Sequence, residues 1–379
     1  MYAAAGSSWN KELSGWLPPA ADRRFAALDA MRGIAAISIM FFHYFMDTPN
    51  RLFSNAYYAV DLFFVLSGFV LTHSYSPKIG QTVDFLRYMS FRLIRLYPLY
   101  LVGMLLGLVM LPLYINASLT QSFDFKDYAL AATLGAFFLP YPNAGMVPLT
   151  ASGSMPGALF PLDIPAWSLF FELLASVFLY VVIKSNLRVI YIVLLSFVPL
   201  IAAILHHKTL NLGWGVSSVS GGLARTAFMF SLGILLFKMF NTVGGWRRTR
   251  DPTVFLVITA ACLATPGLDF LGIHVSSYFI CVALLLNLFC CAFIMDWGSE
   301  YRPAICNWLG RISYGVYAIH LPLYLTAVLL LRRTSWAAWI DGAPVSFGCV
   351  MGIIVLASAY LATAFLDEPL RQKLKARLR

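Results

Sequence analysis

The chain has 379 residues, of which 60% are hydrophobic and 12% charged, with a net charge of +10 and a mean hydropathy of +0.76. A water-soluble domain carries roughly 45–50% apolar and about 25% charged residues, so this chain has too little polar material to cover a water-facing surface. A soluble globular protein is excluded. The positive charge does not point to nucleic acid either, because it lies in short clusters between apolar runs, where membrane anchors belong.

The first 29 residues hold prolines and charges but no apolar core, so they do not form a signal peptide. They read as a cytoplasmic arm, 1–29, with an interfacial piece around Trp9 to Leu17. Apolar runs then give candidate spans at 30–46, 57–75, 97–115, 161–183, 189–205, 223–240, 253–271, 275–296, 309–331 and 344–366. Several approach or exceed the ~20 residues that a bilayer core requires. A further apolar piece, 127–140, is short for a span and reads as re-entrant or interfacial.

Charge orients these spans. With a cytoplasmic N-terminus and 127–140 not crossing, 21 of the 27 basic residues fall inside. Only Arg51, Lys126, Lys208, Arg225, Arg332 and Arg333 fall outside. A crossing 127–140 would expose the Arg247–Arg250 cluster and the basic C-terminal tail, against the positive-inside rule. The expected fold is an all-α polytopic transmembrane helical bundle of about ten spans with both termini cytoplasmic. Its membrane domain covers 30–367, followed by a basic tail, 368–379.

Ionisable residues inside a span cost roughly 2.5–3.5 kcal/mol at the membrane centre, so each invites a functional reading. In the first span Arg32 and His43 are eleven residues apart. At ~3.6 residues per turn they share a helix face and lie ~16 Å apart along the axis. A cation at the cytoplasmic boundary and an imidazole deeper in suit an anionic cofactor arriving from that side. The structural alternative is a snorkelling arginine plus a histidine bonded to a neighbouring helix. Asp61, at the outer start of the second span, is equally readable as an interfacial charge.

The third span is preceded by Arg92 and Arg95 at i,i+3, two guanidiniums on one face with donors suited to phosphate oxygens. Taken alone they also fit ordinary positive-inside anchors. In the fourth span Ser168 and Glu172 are at i,i+4. Glu172 lies near the middle of an apolar run, where a carboxylate needs a proton or a partner. Pairing with His43 would fix the imidazole's tautomer, as carboxylates do in hydrolytic triads; helix packing is the competing account. In the ninth span His320 reads as packing, or as satisfying backbone freed by Pro322.

His73, His206, His207 and His274 lie near span ends and need no special role. The six cysteines suggest neither a disulfide framework nor a zinc site. No His/Glu cluster has metal-ligand spacing, so no metal is expected. Asn116-Ala117-Ser118 fits a glycosylation sequon, a motif short enough to arise by chance.

In order along the chain stand Leu28-Asp29-Ala30-Met31-Arg32-Gly33 through His43, and Val60-Asp61-Leu62-Phe63-Phe64-Val65-Leu66-Ser67-Gly68-Phe69. Phe91-Arg92-Leu93-Ile94-Arg95-Leu96-Tyr97-Pro98, Trp167-Ser168-Leu169 with Glu172, and Ile312-Ser313-Tyr314-Gly315-Val316-Tyr317 to His320 follow. Together these motifs resemble the acyltransferase 3 family of polytopic membrane acyltransferases, over roughly residues 25 to 370. The chain is similar to the stand-alone form, without an appended esterase-like domain.

The resemblance implies transfer of an acyl group, commonly acetyl, from cytoplasmic acyl-CoA to a hydroxyl of a cell-envelope or exported carbohydrate, in the bacterial inner membrane. It carries over the arginine–histidine pair as Arg32 and His43, the basic motif at the membrane boundary as Arg92 and Arg95, and the fourth-span carboxylate as Glu172. His43 and Glu172 are thus the expected catalytic residues, with Arg32, Arg92 and Arg95 holding acyl-CoA. Trp167, Ser168 and Asp61 are the expected substrate contacts. The implied partners are membrane lipid, the carbohydrate acceptor and polysaccharide assembly machinery. A transporter of an envelope glycan or small anionic metabolite is the main rival, because intramembrane His, Glu and Arg also serve proton relays. No repeated halves or paired broken helices favour it. A non-catalytic assembly factor is the third reading.

Overall fold

The computed structural model describes residues 25–46, 48, 52–116, 125–142, 146–148, 154–243, 249–265, 275–295 and 303–378. The expected N-terminal interfacial piece, the last two sequon residues, Arg247, Arg248 and His274 lie outside the described residues.

The apolar runs form helices because a backbone without water must satisfy its own hydrogen bonds. In chain order these are α1 (Ala26–Phe45), α2 (Ala59–Tyr75), α3 (Phe85–Asn116) and α4 (Phe125–Ala136). There follow α5 (Ala166–Lys184), α6 (Val189–His207), α7 (Val219–Val243) and α8 (Thr253–Ala264). The chain continues through α9 (Val275–Ile294), α10 (Ala304–Leu331), α11 (Ala337–Gly342) and α12 (Pro344–Leu361). A π-helical turn, Ala362–Asp367, leads into α13 (Glu368–Arg377). One small exception to an all-α fold stands between α4 and α5. There β1 (Met146–Pro148) pairs antiparallel with β2 (Ser154–Pro156), with Val147 opposite Met155.

Among the described residues, eight helices are long and apolar enough to cross a bilayer. They cover eight of the ten expected spans; the other two fall on shorter apolar helices, Thr253–Ala264 and Phe279–Ile294. α3 begins well before its expected start because the Arg92/Arg95 segment continues the helix below the purely apolar part. The outer surface is itself apolar: Leu195, Val198 and Leu205 of α6, Ile353 of α12 and Phe279 of α9 are all largely exposed. In water such a surface would aggregate, whereas hydrocarbon is its natural solvent.

α1 packs along α10, α2 against α7, and α3 also against α10. Glycines allow this closeness, as expected where lipid-exposed helices associate through small residues. A Cβ on Gly68 of α2 would lie 2.2 Å from the Phe230 carbonyl oxygen, and one on Gly103 of α3 would lie 2.1 Å from that of Ala318. Pro322, having no N–H, leaves the Ala318 carbonyl without its helical partner four residues on.

A candidate active site divided by Tyr317

Two cavities meet inside the bundle. The larger, about 260 Å³, is lined by Arg32, Arg92, Arg95, Glu172 and Lys375, with Phe63, Ser168 and Tyr317 among the residues at its inner end. The smaller, about 70 Å³, is lined by His43, Tyr57, Trp167, Trp214, Arg225 and Tyr317, among others. Tyr317 of α10 is the residue common to both.

Its hydroxyl lies 2.6 Å from Ser168 Oγ and donates to the Pro165 carbonyl at 3.1 Å. The Phe63 ring stands edge-on against it, with centroids 5.3 Å apart. Neighbouring residues on the first turn of α5 are about 100° apart around the axis. That is why Trp167 faces the smaller cavity and Ser168 the larger.

α1 presents Arg32 to the larger cavity and His43 to the smaller, so the expected shared face serves two chambers rather than one. Arg32 pairs with Asp29 at 3.2 Å. Arg95 lies 3.9 Å from Asp367, with its guanidinium over the Tyr314 ring. Arg92 is buried; its Nε donates to Ser176 Oγ at 3.1 Å and its Nη2 to Glu172. Ser67 also donates to Glu172, at 3.2 Å.

The expected Glu172–His43 pair is therefore corrected: Glu172 is the counter-ion of Arg92. Glu172 sits four residues, about 6 Å of helix, beyond Ser168 and lines the larger cavity, not the smaller one that holds His43. Asp61 is corrected too. It lines neither cavity, and its carboxylate grips Arg225 of α7 at 2.6 and 2.7 Å. Arg225 also donates to the carbonyls of Leu212 and Tyr57. It is fully buried rather than a charge of the outer loops, and it brings a cation to the His43 cavity.

His43 meets another histidine. Its Nδ1 lies 3.0 Å from His320 Nε2 and 3.0 Å from the Ile39 carbonyl oxygen. His320 is fully buried, and its Nδ1 sits 3.0 Å from the Val316 and 2.9 Å from the Tyr317 carbonyl oxygen. These are not the carbonyl that Pro322 frees, so the packing role expected of His320 gives way to contact with His43. The i,i+3 spacing of Tyr317 and His320, which puts them on one helix face, is the sequence signal that could have joined them. The C-terminal segment, expected as a basic tail, sends Lys375 of α13 to the larger cavity.

Among the described residues no group of His, Cys, Asp and Glu has the arrangement to hold a metal ion. The arrangement offers a chamber lined by four cations and one carboxylate, and a second chamber with an imidazole, with Tyr317 lining both. Comparison with known proteins adds three findings. A family model described as an acyltransferase domain matches residues 25–364. The chain is similar to a Rhizobium radiobacter protein described as "Protein 2 in picA locus", with 38% identity over 164 residues, covering 40% of this chain and 79% of that protein. No solved structure matches.

Proposed function

The chain belongs to the acyltransferase 3 family and is an integral membrane protein, and from this we propose that it moves an acyl group, acetyl being the simplest, from acyl-CoA to a hydroxyl of an envelope carbohydrate. One observation carries this reading: a chamber lined by Arg32, Arg92, Arg95 and Lys375 shares Tyr317 with a second chamber lined by His43. Guanidiniums suit phosphate oxygens, which an acyl-CoA supplies. At about 260 Å³ the chamber is smaller than the ~300–1,000 Å³ that encloses a drug-sized ligand. It suits the thioester arm, with the nucleotide held at the basic mouth.

The expected topology, ten spans with both termini cytoplasmic, would put that mouth on the cytoplasmic side of the membrane, which supports acyl-CoA as the donor. The acceptor then meets the acyl group in the His43 chamber, whose Trp167, Trp214 and Tyr57 faces suit a sugar ring. His43 serves as general base, worth about 10²–10⁴-fold in rate. Transporters move substrates unchanged, so covalent transfer separates the two readings. Purified protein in proteoliposomes, given labelled acetyl-CoA and envelope glycan, should label the glycan. His43→Ala should insert normally and abolish labelling. Label transfer by His43→Ala at the wild-type rate would refute the proposal.

A further inference from the structure

Among the described residues, no carboxylate bonds to either imidazole of the His43–His320 pair. Glu172 is held by Arg92 and Asp61 by Arg225. Yet the hydrogen bonds around the pair leave no freedom in where its protons sit. A carbonyl oxygen only accepts, so a ring nitrogen facing one must carry a hydrogen. His320 Nδ1 faces two carbonyls, those of Val316 and Tyr317, and is therefore N–H. In the neutral ring that makes His320 Nε2 a bare acceptor.

The nitrogen opposite it, His43 Nδ1 at 3.0 Å, must then donate, and the Ile39 carbonyl at 3.0 Å demands the same. What remains is His43 Nε2. It carries the lone pair, it has no hydrogen-bond partner among the described residues, and its ring lines the smaller cavity.

We propose that His320 is the positioning residue for His43, holding its Nδ1 as the N–H so that Nε2 is the nitrogen that takes the acceptor's proton. This rests on the acyl-transfer reading above. In the step, the acceptor oxygen forms a C–O bond to the acyl carbon while its proton passes to His43 Nε2. The C–S bond breaks, and the departing thiolate takes that proton. Thioester and alcohol become ester and thiol, and His43 returns to its starting form. While His43 is an imidazolium, its Nδ1–H keeps donating to the neutral His320 ring. An imidazole fixed by two backbone carbonyls thus fills the place that a carboxylate holds in hydrolytic triads.

The test compares His320→Leu with His320→Gln in proteoliposomes, measuring kcat and KM for acetyl-CoA. Leucine removes the acceptor opposite Nδ1, whereas the glutamine amide reaches the same point with an oxygen. Expected is a fall in kcat of about 10²–10⁴-fold for His320→Leu with KM for acetyl-CoA within about twofold, and recovery to within about tenfold for His320→Gln. Unchanged KM shows that the donor chamber is intact, which a merely misfolded variant would not give. In ¹⁵N-histidine-labelled wild type, nitrogen resonance should show protonated Nδ1 on both rings and a coupling across the N–H···N bond. Wild-type kcat in His320→Leu, or a protonated Nε2 on His43 at neutral pH, overturns the role of His320 alone. Absence of transfer by the wild type would overturn the acyl-transfer reading, and this role with it.

Discussion

Removing either half of the Asp61–Arg225 pair should damage the protein more than removing both. The pair lies wholly inside the bundle, with side-chain exposures of 2% and 0%. Two short bonds join carboxylate to guanidinium, and the Leu212 and Tyr57 carbonyls take further donors. Trp167 lies under the guanidinium at 5.8 Å, but neither that ring nor the carbonyls carry a countercharge, which Asp61 supplies. Breaking a buried pair from one side costs about 3–5 kcal/mol, because an uncompensated charge remains. At 1.4 kcal/mol per tenfold, that is roughly 10²–10³-fold or more in the folded-to-unfolded ratio. Replacing both partners by apolar residues of similar volume is often neutral or even stabilising by about 1–4 kcal/mol. Asp61→Leu and Arg225→Met should each lower the unfolding midpoint in detergent, and the double variant should melt nearer the wild type than either single one. Acyl transfer should not recover with it, since the His43 cavity has still lost its cation. Single variants as stable as the wild type, or strictly additive losses in the double, would show that the pair is not the buried lock described here.

The donor chamber and its wall supply two further expectations. Arg92→Ala with Arg95→Ala should raise KM for acetyl-CoA by about 10²–10⁴-fold, since hydrogen bonds to charged groups are worth about 1.5–3 kcal/mol each. A phosphate-free acetyl thioester of pantetheine should be much less affected; equal losses for both donors would remove the phosphate role of these arginines. Tyr317→Phe deletes the hydroxyl that closes on Ser168 and Pro165, two bonds of about 0.5–1.5 kcal/mol each. Thiol release from acetyl-CoA without acceptor should rise several-fold, and an unchanged leak would mean that this hydroxyl does not seal the chambers.

Composition made the membrane bundle legible, because the bilayer sets both helix length and apolar content. It did not show where α3 begins, since that helix runs on through Arg92 and Arg95, where an apolar run has already ended. The site was legible in part for a related reason. A lone ionisable residue in an apolar span announces itself, so His43 and Glu172 could be picked out, whereas Arg92 and Arg95 are read from their i,i+3 spacing at a span's start. Pairing is a matter of azimuth as well as depth, and sequence supplies only depth. Glu172 and His43 lie on opposite sides of Tyr317 although both are intramembrane, which a hydropathy pattern cannot distinguish. Arg225 and Asp61 each sit close enough to a span end to pass as solvated charges. Only the packing of α2 on α7 reveals that each neutralises the other. His320 was hidden by Pro322, which supplied a sufficient local explanation for a polar side chain.

Residue 317 does two jobs with different atoms, and this bears on how a divided site can still react. Its hydroxyl closes the wall on Ser168, while its carbonyl accepts from His320 Nδ1 at 2.9 Å. The carbonyl belongs to the α10 backbone, which helix hydrogen bonds fix, whereas the side chain can turn about χ1 between staggered wells. Swinging the ring aside to admit a thioester therefore leaves His320, and through it His43, where they were. The opposite arrangement, with the base carried on the moving part, would lose its orientation each time the wall opened. On the proposed function, a closed wall also keeps donor and base apart when no acceptor is present. A water molecule in contact with both would consume the thioester by the same chemistry that a sugar hydroxyl uses. On this argument the leak through Tyr317→Phe should still depend on His43: adding His43→Ala should return thiol release to background. A leak that persists without His43 would mean that hydrolysis occurs in the cation-lined chamber and that Tyr317 does not separate donor from base.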